Sequence, residues 1–204
     1  MTDQSVSERK RCSILDAARA VFSRKGYSET AVEDVAEEAR IAKGTLYLYF
    51  KSKEDLYLAA LASDLRLLAS ESRRGIEAAR NFREKLRVFL RVRLDYCKSR
   101  QDFLRIYLAE YGSMFIKAPQ SPYLSQLLRE NMRYLAKVIE EAIERGEIAP
   151  LPAGPLAASV YDISRGLMER RLLGWKEFRA SDEIEFTVDL LISGIGRPRR
   201  ARRA

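Results

Sequence analysis

Histidine is absent from the 204 residues. That removes the commonest general base and the commonest metal ligand. Ser-His-Asp and Cys-His catalysis are excluded, and a zinc site would need cysteines or carboxylates alone. Cysteine is scarce as well. Cys12 and Cys97 stand far apart and form no C-x-x-C pair, which reads as two reduced, unrelated thiols, with a redox-sensing thiol as the minor alternative. No run approaches the ~20 consecutive apolar residues of a membrane span. The opening MTDQSVSERKRC has no apolar stretch of the kind a secretory leader carries. There is no Gly-rich phosphate-cradling loop and no metal-ligand cluster. These absences point away from an enzyme, a cofactor and a membrane partner, and make the cytoplasm the expected location.

Net charge is +8, but it is unevenly placed. Residues 1–53 hold 10 basic and 8 acidic side chains, residues 54–196 hold 22 and 21, and residues 197–203 hold five arginines and no acid. The tail therefore supplies most of the excess, and a basic composition alone is poor evidence for nucleic-acid binding. The tail itself, residues 197–204, is expected to be disordered. Two roles are open to it, a weak salt-sensitive attraction to DNA or none.

No segment alternates with period 2. Apolar residues recur at i, i+3, i+4 and i+7, the signature of one helical face. Ile14, Ala18, Val21 and Phe22 do so first, then Val32, Val35, Ala36 and Ala39, then Leu56, Ala59, Ala60 and Leu67. Longer stripes follow: Phe82, Leu86, Phe89 and Leu90, then Phe103, Ile106, Tyr107, Tyr111 and Met114, then Leu124 to Ala142. Breaks are expected at Gly26-Tyr27-Ser28, at Gly75, at 118–122, and at Gly146 with the prolines that follow. The fold class is all-α, with about nine helices and no sheet. Short helices precede residue 52 and long ones follow it. That places an N-terminal domain at 1–52, a helical domain at 53–196 and the tail beyond, with a helix at about 53–72 bridging the two domains.

Residues 28–50 read SETAVEDVAEEARIAKGTLYLYF. Thr30 followed by Glu33 is a capping-box pattern that starts one helix. Arg40, Ile41 and Ala42 make a tight connection to a very short second helix at about 43–49. Two helices so joined form a helix-turn-helix, whose second helix can enter the major groove. The second helix is an odd packing element. Gly44 in its first turn costs ~1 kcal/mol against Ala and permits close backbone approach to another surface. Lys43 suits phosphates, Thr45 offers a hydroxyl or a methyl, and Tyr47 and Tyr49 offer rings with phenolic hydroxyls. Leu46 and Phe50, four apart, point back to the core.

K-G-T-L-Y-x-Y-F at 43–50, followed by K-S-K-E-D-L, resembles the tetracycline-repressor (TetR) family, as does A-R-A-V-F-S-R-K-G-Y-S-E-T-A-V-E-D-V-A before it. The specific match covers about residues 12–60. Beyond it only helix number, lengths and breaks agree, such as R-G-E-I at 145–148. The resemblance implies an all-α homodimeric regulator. Its first three helices would bind double-stranded operator DNA, and its later helices would dimerise and hold an effector. It implies phosphate contacts at Thr30, Lys43, Tyr49 and Lys53, and base or mixed contacts at Gly44, Thr45 and Tyr47. Three positions depart from the family pattern: Arg40 replaces the turn glycine, Ala42 the serine before the lysine, and Tyr49 the histidine. Ala42 is a poor N-cap. For Arg40 a phosphate contact and a solvated side chain are both open. Repression is the sign that the resemblance implies.

Two late helices are apolar on two sides, as helices buried on two sides are. Leu156, Val160, Ile163 and Leu167 form one stripe, with Ala157, Tyr161, Met168 and Leu172 beside it. Ile184, Val188, Leu191, Ile192 and Ile195 form another, with Phe186 and Leu190 beside it. The two named stripes are assigned to a dimer interface, and a two-fold pair would present two recognition helices to a pseudo-palindromic operator. The alternative is a central place in a monomer core.

Aromatic residues crowd the long helices. Phe103, Tyr107, Glu110, Tyr111, Tyr161 and Arg165 are assigned to a pocket for a small apolar or amphipathic effector. Core filling is open for each aromatic. Glu110, on an apolar face, needs a partner, either a ligand or an arginine such as Arg165. Competing functional classes are a small-molecule carrier with a vestigial helix-turn-helix and an architectural DNA-binding protein without sequence preference.

Overall fold

The structure is a computed structural model. It describes the backbone of residues 3–111, 122–175 and 177–194, and the side chains of 6–106, 124–175 and 177–194. Among the described residues there are nine α-helices and no strand: α1 (Asp3–Glu29), α2 (Val32–Glu38), α3 (Lys43–Tyr47), α4 (Lys53–Ala78), α5 (Phe82–Ser99), α6 (Gln101–Tyr111), α7 (Pro122–Glu144), α8 (Ala153–Leu172) and α9 (Ala180–Gly194). The arginine tail and Ile195 lie outside the described residues.

Local chemistry sets the helix ends. At the start of α4 the Ser52 hydroxyl accepts the Asp55 N–H at 3.0 Å, while the Asp55 carboxylate accepts the Lys51 N–H at 3.0 Å. At α5 the Asn81 side-chain oxygen Oδ1 accepts the Glu84 N–H at 2.9 Å and the Glu84 carboxylate accepts the Arg80 N–H at 2.9 Å. These reciprocal bonds satisfy N–H groups that a helix start leaves orphaned. Three helices close with paired bonds in which one residue turns left-handed. After α7 that residue is Gly146, φ 69°, and after α8 it is Gly174, φ 86°. After α2 it is Arg40, φ 55°. The Ile41 N–H there reaches the Ala36 carbonyl at 2.9 Å and the Arg40 N–H reaches the Glu37 carbonyl at 2.9 Å.

Two expected features differ. The box that starts α2 uses Ala31 and Asp34, not Thr30 and Glu33: the Asp34 carboxylate accepts the Ala31 N–H at 2.9 Å. Gly75 does not end α4, which continues to Ala78. A Cβ at Gly75 would stand 2.5 Å from Cγ1 of Val88 on α5, so this glycine serves close helix packing rather than a turn.

The chain divides into two compact units. The first is 1–67 with 100–127, and the second is 68–99 with 128–204. This grouping differs from a boundary at 52–53, because the first half of α4 and the start of α6 pack with α1. In the first unit Ile14, Ala18, Val21 and Phe22 of α1 are buried with Val35 and Ala36 of α2, Leu46, Phe50, and Leu56, Tyr57, Ala60 and Leu61 of α4. Tyr57 is the hub. Its ring meets Phe22 at 5.1 Å, Tyr27 at 5.5 Å and Phe103 at 5.0 Å between centroids, and its hydroxyl donates to the Phe103 carbonyl at 2.9 Å. Edge-on and tilted rings of this kind add to simple area burial. Asp64, 0% exposed, is held by Arg19 Nε of α1 at 2.5 Å and by Arg100 Nε at 3.4 Å.

In the second unit α5 packs on α8 and α9. Phe82, Leu86, Phe89 and Leu90 of α5 are buried, as are Val160, Leu167 and Met168 of α8 and Ile184, Val188 and Leu191 of α9. Ion pairs fasten the rim: Arg87 grips Glu185 through two bonds of 2.6 and 2.8 Å, and Arg83 pairs with Asp189. Cys97 is buried with its Sγ 3.5 Å from the Met168 carbonyl, while Cys12 is exposed.

Candidate functional site

Helix α3 has five residues, too few to hold together alone. Its position comes from two anchors, Leu46 and Phe50, both 1% exposed in the first core. Its start is bare, as expected from Ala42: no side chain caps it, and Ala42 supplies only its carbonyl, to the Thr45 N–H at 2.9 Å. With 46 and 50 turned inward, positions 43, 44, 47 and 48 turn outward. Lys43 and Gly44 are exposed, Tyr47 is 45% exposed and Leu48 is 83% exposed, while Thr45 and Tyr49 are half-buried. A Cβ placed on Gly44 meets nothing within 4 Å, so nothing among the described residues requires glycine there.

Lys43 is paired across the motif with Glu33 of α2, and its Nζ lies 5.9 Å from the Tyr47 ring centre. The hydrogen bond from Lys43 holds the Glu33 carboxyl below the usual carboxylate range, and Glu33 raises the Lys43 ammonium in return. Both side chains are more than half exposed, so the pair is readily exchanged for another partner.

Thr30 and Lys53, two of the implied phosphate contacts, have other partners in the structure. Thr30 is buried, and its hydroxyl donates to the Gly26 carbonyl at 2.6 Å. The Lys53 ammonium donates to the carbonyls of Tyr27 at 2.9 Å, Thr30 at 3.1 Å and Ser28 at 3.3 Å. It also lies 4.6 Å from the Tyr27 ring centre. An ammonium has three donors, and all three are engaged. The left-handed turn at Gly26, φ 80°, leaves these carbonyls without helical partners, and Lys53 closes the gap between the end of α1 and the start of α4.

In the second unit the expected dimer stripes are largely internal. Val160, Leu167, Ile184, Val188 and Leu191 are buried within the chain's own core, and Leu156, Ile163 and Ile192 are half-buried. The outward apolar face is the neighbouring one. Leu173, Trp175, Phe178, Phe186 and Leu190 are exposed and line, with Ile163, a groove of about 760 Å³ along α8 and α9. Its polar edge is fixed by Glu183, which pairs with Arg170 at 2.9 Å and with Arg171. Buried side chains are unavailable to a partner, so the face open to another surface is the one carrying Phe186 and Leu190.

Of the residues assigned to an effector pocket, Phe103, Tyr161 and Arg165 have described side chains. Phe103 belongs to the first core, against Tyr57. Tyr161 belongs to the second, tilted against Phe89 at 6.3 Å and stacked under the guanidinium of Arg93 at 4.4 Å. Arg165 binds carboxylates of its own helix, Glu169 at 3.1 Å and Asp162 at 3.5 Å. The side chains of Tyr107, Glu110 and Tyr111 lie outside the described residues. Leu48, Arg93 and Asp64 were not singled out in the sequence. The signal for the last two is present: each is a lone charge inside an apolar helical stripe.

The arrangement has recognisable counterparts. The model of "Bacterial regulatory proteins, tetR family" matches residues 14–60. An uncharacterized HTH-type transcriptional regulator of Bacillus subtilis, YhgD, is 30% identical over 139 residues, 67% of this chain and 71% of that protein. The fatty acid metabolism regulator protein of Bacillus subtilis is 25% identical over 135 residues, 66% of this chain and 69% of that protein. Among solved structures, the transcriptional regulator FadR from Bacillus subtilis in complex with stearoyl-CoA superposes with a TM-score of 0.72 at 22% identity, covering 90% of this chain and 98% of that one. No described helix is long and apolar enough to cross a membrane. From the motif at 43–53, the all-helical fold and these likenesses, the chain belongs to the tetR family and is a helix-turn-helix transcriptional regulator.

Proposed function

We propose that the chain is a cytoplasmic repressor that binds a pseudo-palindromic operator as a homodimer and leaves it when a small amphipathic molecule binds the second unit. The observation that carries the reading is α3 itself: a five-residue helix pinned by Leu46 and Phe50 that turns Lys43, Gly44, Tyr47 and Leu48 outward. A helix of this length earns no stability from its outer face, so that face is free for groove contacts. Lys43, Gly44, Thr45, Tyr47 and Tyr49 are proposed as DNA contacts. Thr30 and Lys53 support them by holding the α1–α4 junction. The exposed apolar face of α8 and α9 supports the dimer.

The effector class is drawn from the relatives. One is named a fatty acid metabolism regulator and one solved neighbour holds stearoyl-CoA. An acyl chain carrying a polar head is the proposed ligand type. Such a ligand acts as an inducer by binding better to the state with poorly placed recognition helices, and operator DNA then weakens its binding by the same factor.

Gel shifts against the DNA upstream of the chain's own gene test the reading. Specific, salt-sensitive binding that Lys43→Ala and Tyr47→Ala weaken, and that an acyl-CoA reverses, is expected. Binding without sequence preference would favour an architectural protein, and no binding at low salt would favour a small-molecule carrier.

A further inference from the structure

Arg93 lies on α5, outside the helix-turn-helix, and does not line the exposed apolar groove. It sits on α5 among Phe89, Leu90, Leu94 and Cys97, and is 5% exposed. Its guanidinium carbon lies 4.4 Å from the ring centre of Tyr161 and 5.2 Å from that of Phe89. Rings engage the faces of a guanidinium, whereas its five N–H donors lie in its plane and point past them. Nε of Arg93 is buried without a hydrogen-bond partner, and among the described residues no carboxylate pairs with this side chain. Other arginines of α5 are treated differently: Arg87 receives the Glu185 carboxylate through two bonds and Arg83 receives Asp189. Burying a guanidinium N–H with no acceptor, and no counter-ion among the described residues, is costly and is seldom retained without a use.

We infer that Arg93 is the anchor for the anionic group of the effector. The inference rests on the reading of the chain as an effector-released regulator and narrows the ligand to an apolar molecule bearing an oxyanion, either a carboxylate or a phosphate. The planar fork of a guanidinium donates two parallel hydrogen bonds to either. Tyr161 and Phe89 hold the guanidinium plane in place before the ligand arrives. A neutral apolar ligand would leave the buried charge as it stands and gain nothing from it.

Calorimetric titration of the full chain with dodecanoate, dodecanoyl-CoA and dodecan-1-ol tests this, using wild type, Arg93→Met and Arg93→Lys. Wild type is expected to bind at least one anionic probe at least about tenfold more tightly than the alcohol. Preference for dodecanoate identifies a carboxylate ligand, and preference for the thioester a phosphate-bearing one. Arg93→Met is expected to lose that preference and keep its affinity for the alcohol. Arg93→Lys, with charge but no fork, retains part of it. Ligand-free Arg93→Met should melt at or above the wild-type temperature, since it removes a buried charge with no counter-ion among the described residues and fills the space with a flexible apolar side chain. Melting several degrees lower would mean that the ligand-free fold already uses Arg93 for its own stability and would overturn the anchor. Undiminished anion binding by Arg93→Met overturns the anchor alone. Wild type that binds none of the three probes overturns the effector class, and the anchor with it.

Discussion

The Lys53 ammonium lies 2.9 Å from the carbonyl oxygen of Tyr27, the first of three backbone carbonyls it binds at the end of α1. The residue that family likeness marks for phosphate is thereby a strut between two helices. Lys53→Met keeps the packing on Tyr27 and removes the three bonds. Hydrogen bonds from a charged donor are worth about 1.5–3 kcal/mol. Half-exposure discounts this, leaving about 1–2 kcal/mol for the set. In a chain of this size the melting temperature should fall by about 2–8 °C, while the salt slope of operator binding stays unchanged. A slope that drops with the melting temperature unmoved would return Lys53 to the phosphates.

Lys43 behaves in the opposite way. Its only anionic partner among the described residues is Glu33, across the helix-turn-helix, and both are exposed. Lys43→Met should leave melting unchanged and reduce the magnitude of the salt slope by about 1 per subunit. Glu33→Gln removes a negative charge beside the proposed phosphate path and frees Lys43, so operator affinity should rise, most at low salt. Fluorescence anisotropy over a salt series reads both effects.

Gly44 has open space where a Cβ would stand. Gly44→Ala should therefore fold, and gain up to about 1 kcal/mol from better helix propensity. If the glycine lets the α3 backbone approach base edges, the same methyl should weaken operator binding at least about tenfold. A variant that is both more stable and fully active would show that Gly44 faces no partner.

Arg40 occupies a left-handed position at φ 55°, where glycine is the unstrained residue. Such a conformation costs an ordinary side chain roughly 1–2 kcal/mol. Arg40→Gly relieves it but adds freedom to the unfolded chain, leaving a net gain of about 0.5–1 kcal/mol and a melting temperature higher by about 1–4 °C. The variant also separates the two roles open to this side chain: an unchanged salt slope marks it as solvated, and a shallower one as a phosphate contact.

Which features were legible in the sequence follows from what periodicity can and cannot encode. The breaks at Gly26 and Gly146 were readable because a left-handed turn selects glycine. Gly75 looked the same and is different, because its requirement comes from Val88 on another helix. The inward anchors Leu46 and Phe50 were readable from their spacing of four. On α9 the pattern showed two apolar faces but not which one the chain itself covers, since Val188 and Leu190 are equally apolar. Lys53 and Lys43 are likewise alike in sequence, and only the carbonyls left open by the turn at Gly26 separate them. Arg93 continues the Phe89–Leu90 stripe as a cation, but whether a carboxylate meets it depends on residues far away in sequence, which periodicity along α5 does not encode.

The two faces of α9 give the sharpest mutational contrast. Val188 is 0% exposed and Leu190 is 57% exposed, two residues apart on one helix. An aspartate at 188 would be a charge in a closed core with no counter-ion, a change that costs several kcal/mol and threatens the fold. Leu190→Asp puts the same charge on the outside of the subunit, where the isolated chain has no reason to reject it. If the face with Phe186 and Leu190 joins two copies, each change at 190 is made twice at a two-fold interface, and a central apolar anchor there is worth about 2 kcal/mol or more. Val188→Asp should therefore lose helical circular dichroism or melt far below wild type. Leu190→Asp should keep its helicity, sediment as a monomer at micromolar concentration, and bind a whole operator no more tightly than half of one. A dimer that survives Leu190→Asp and Phe186→Asp together would move the interface elsewhere on the chain.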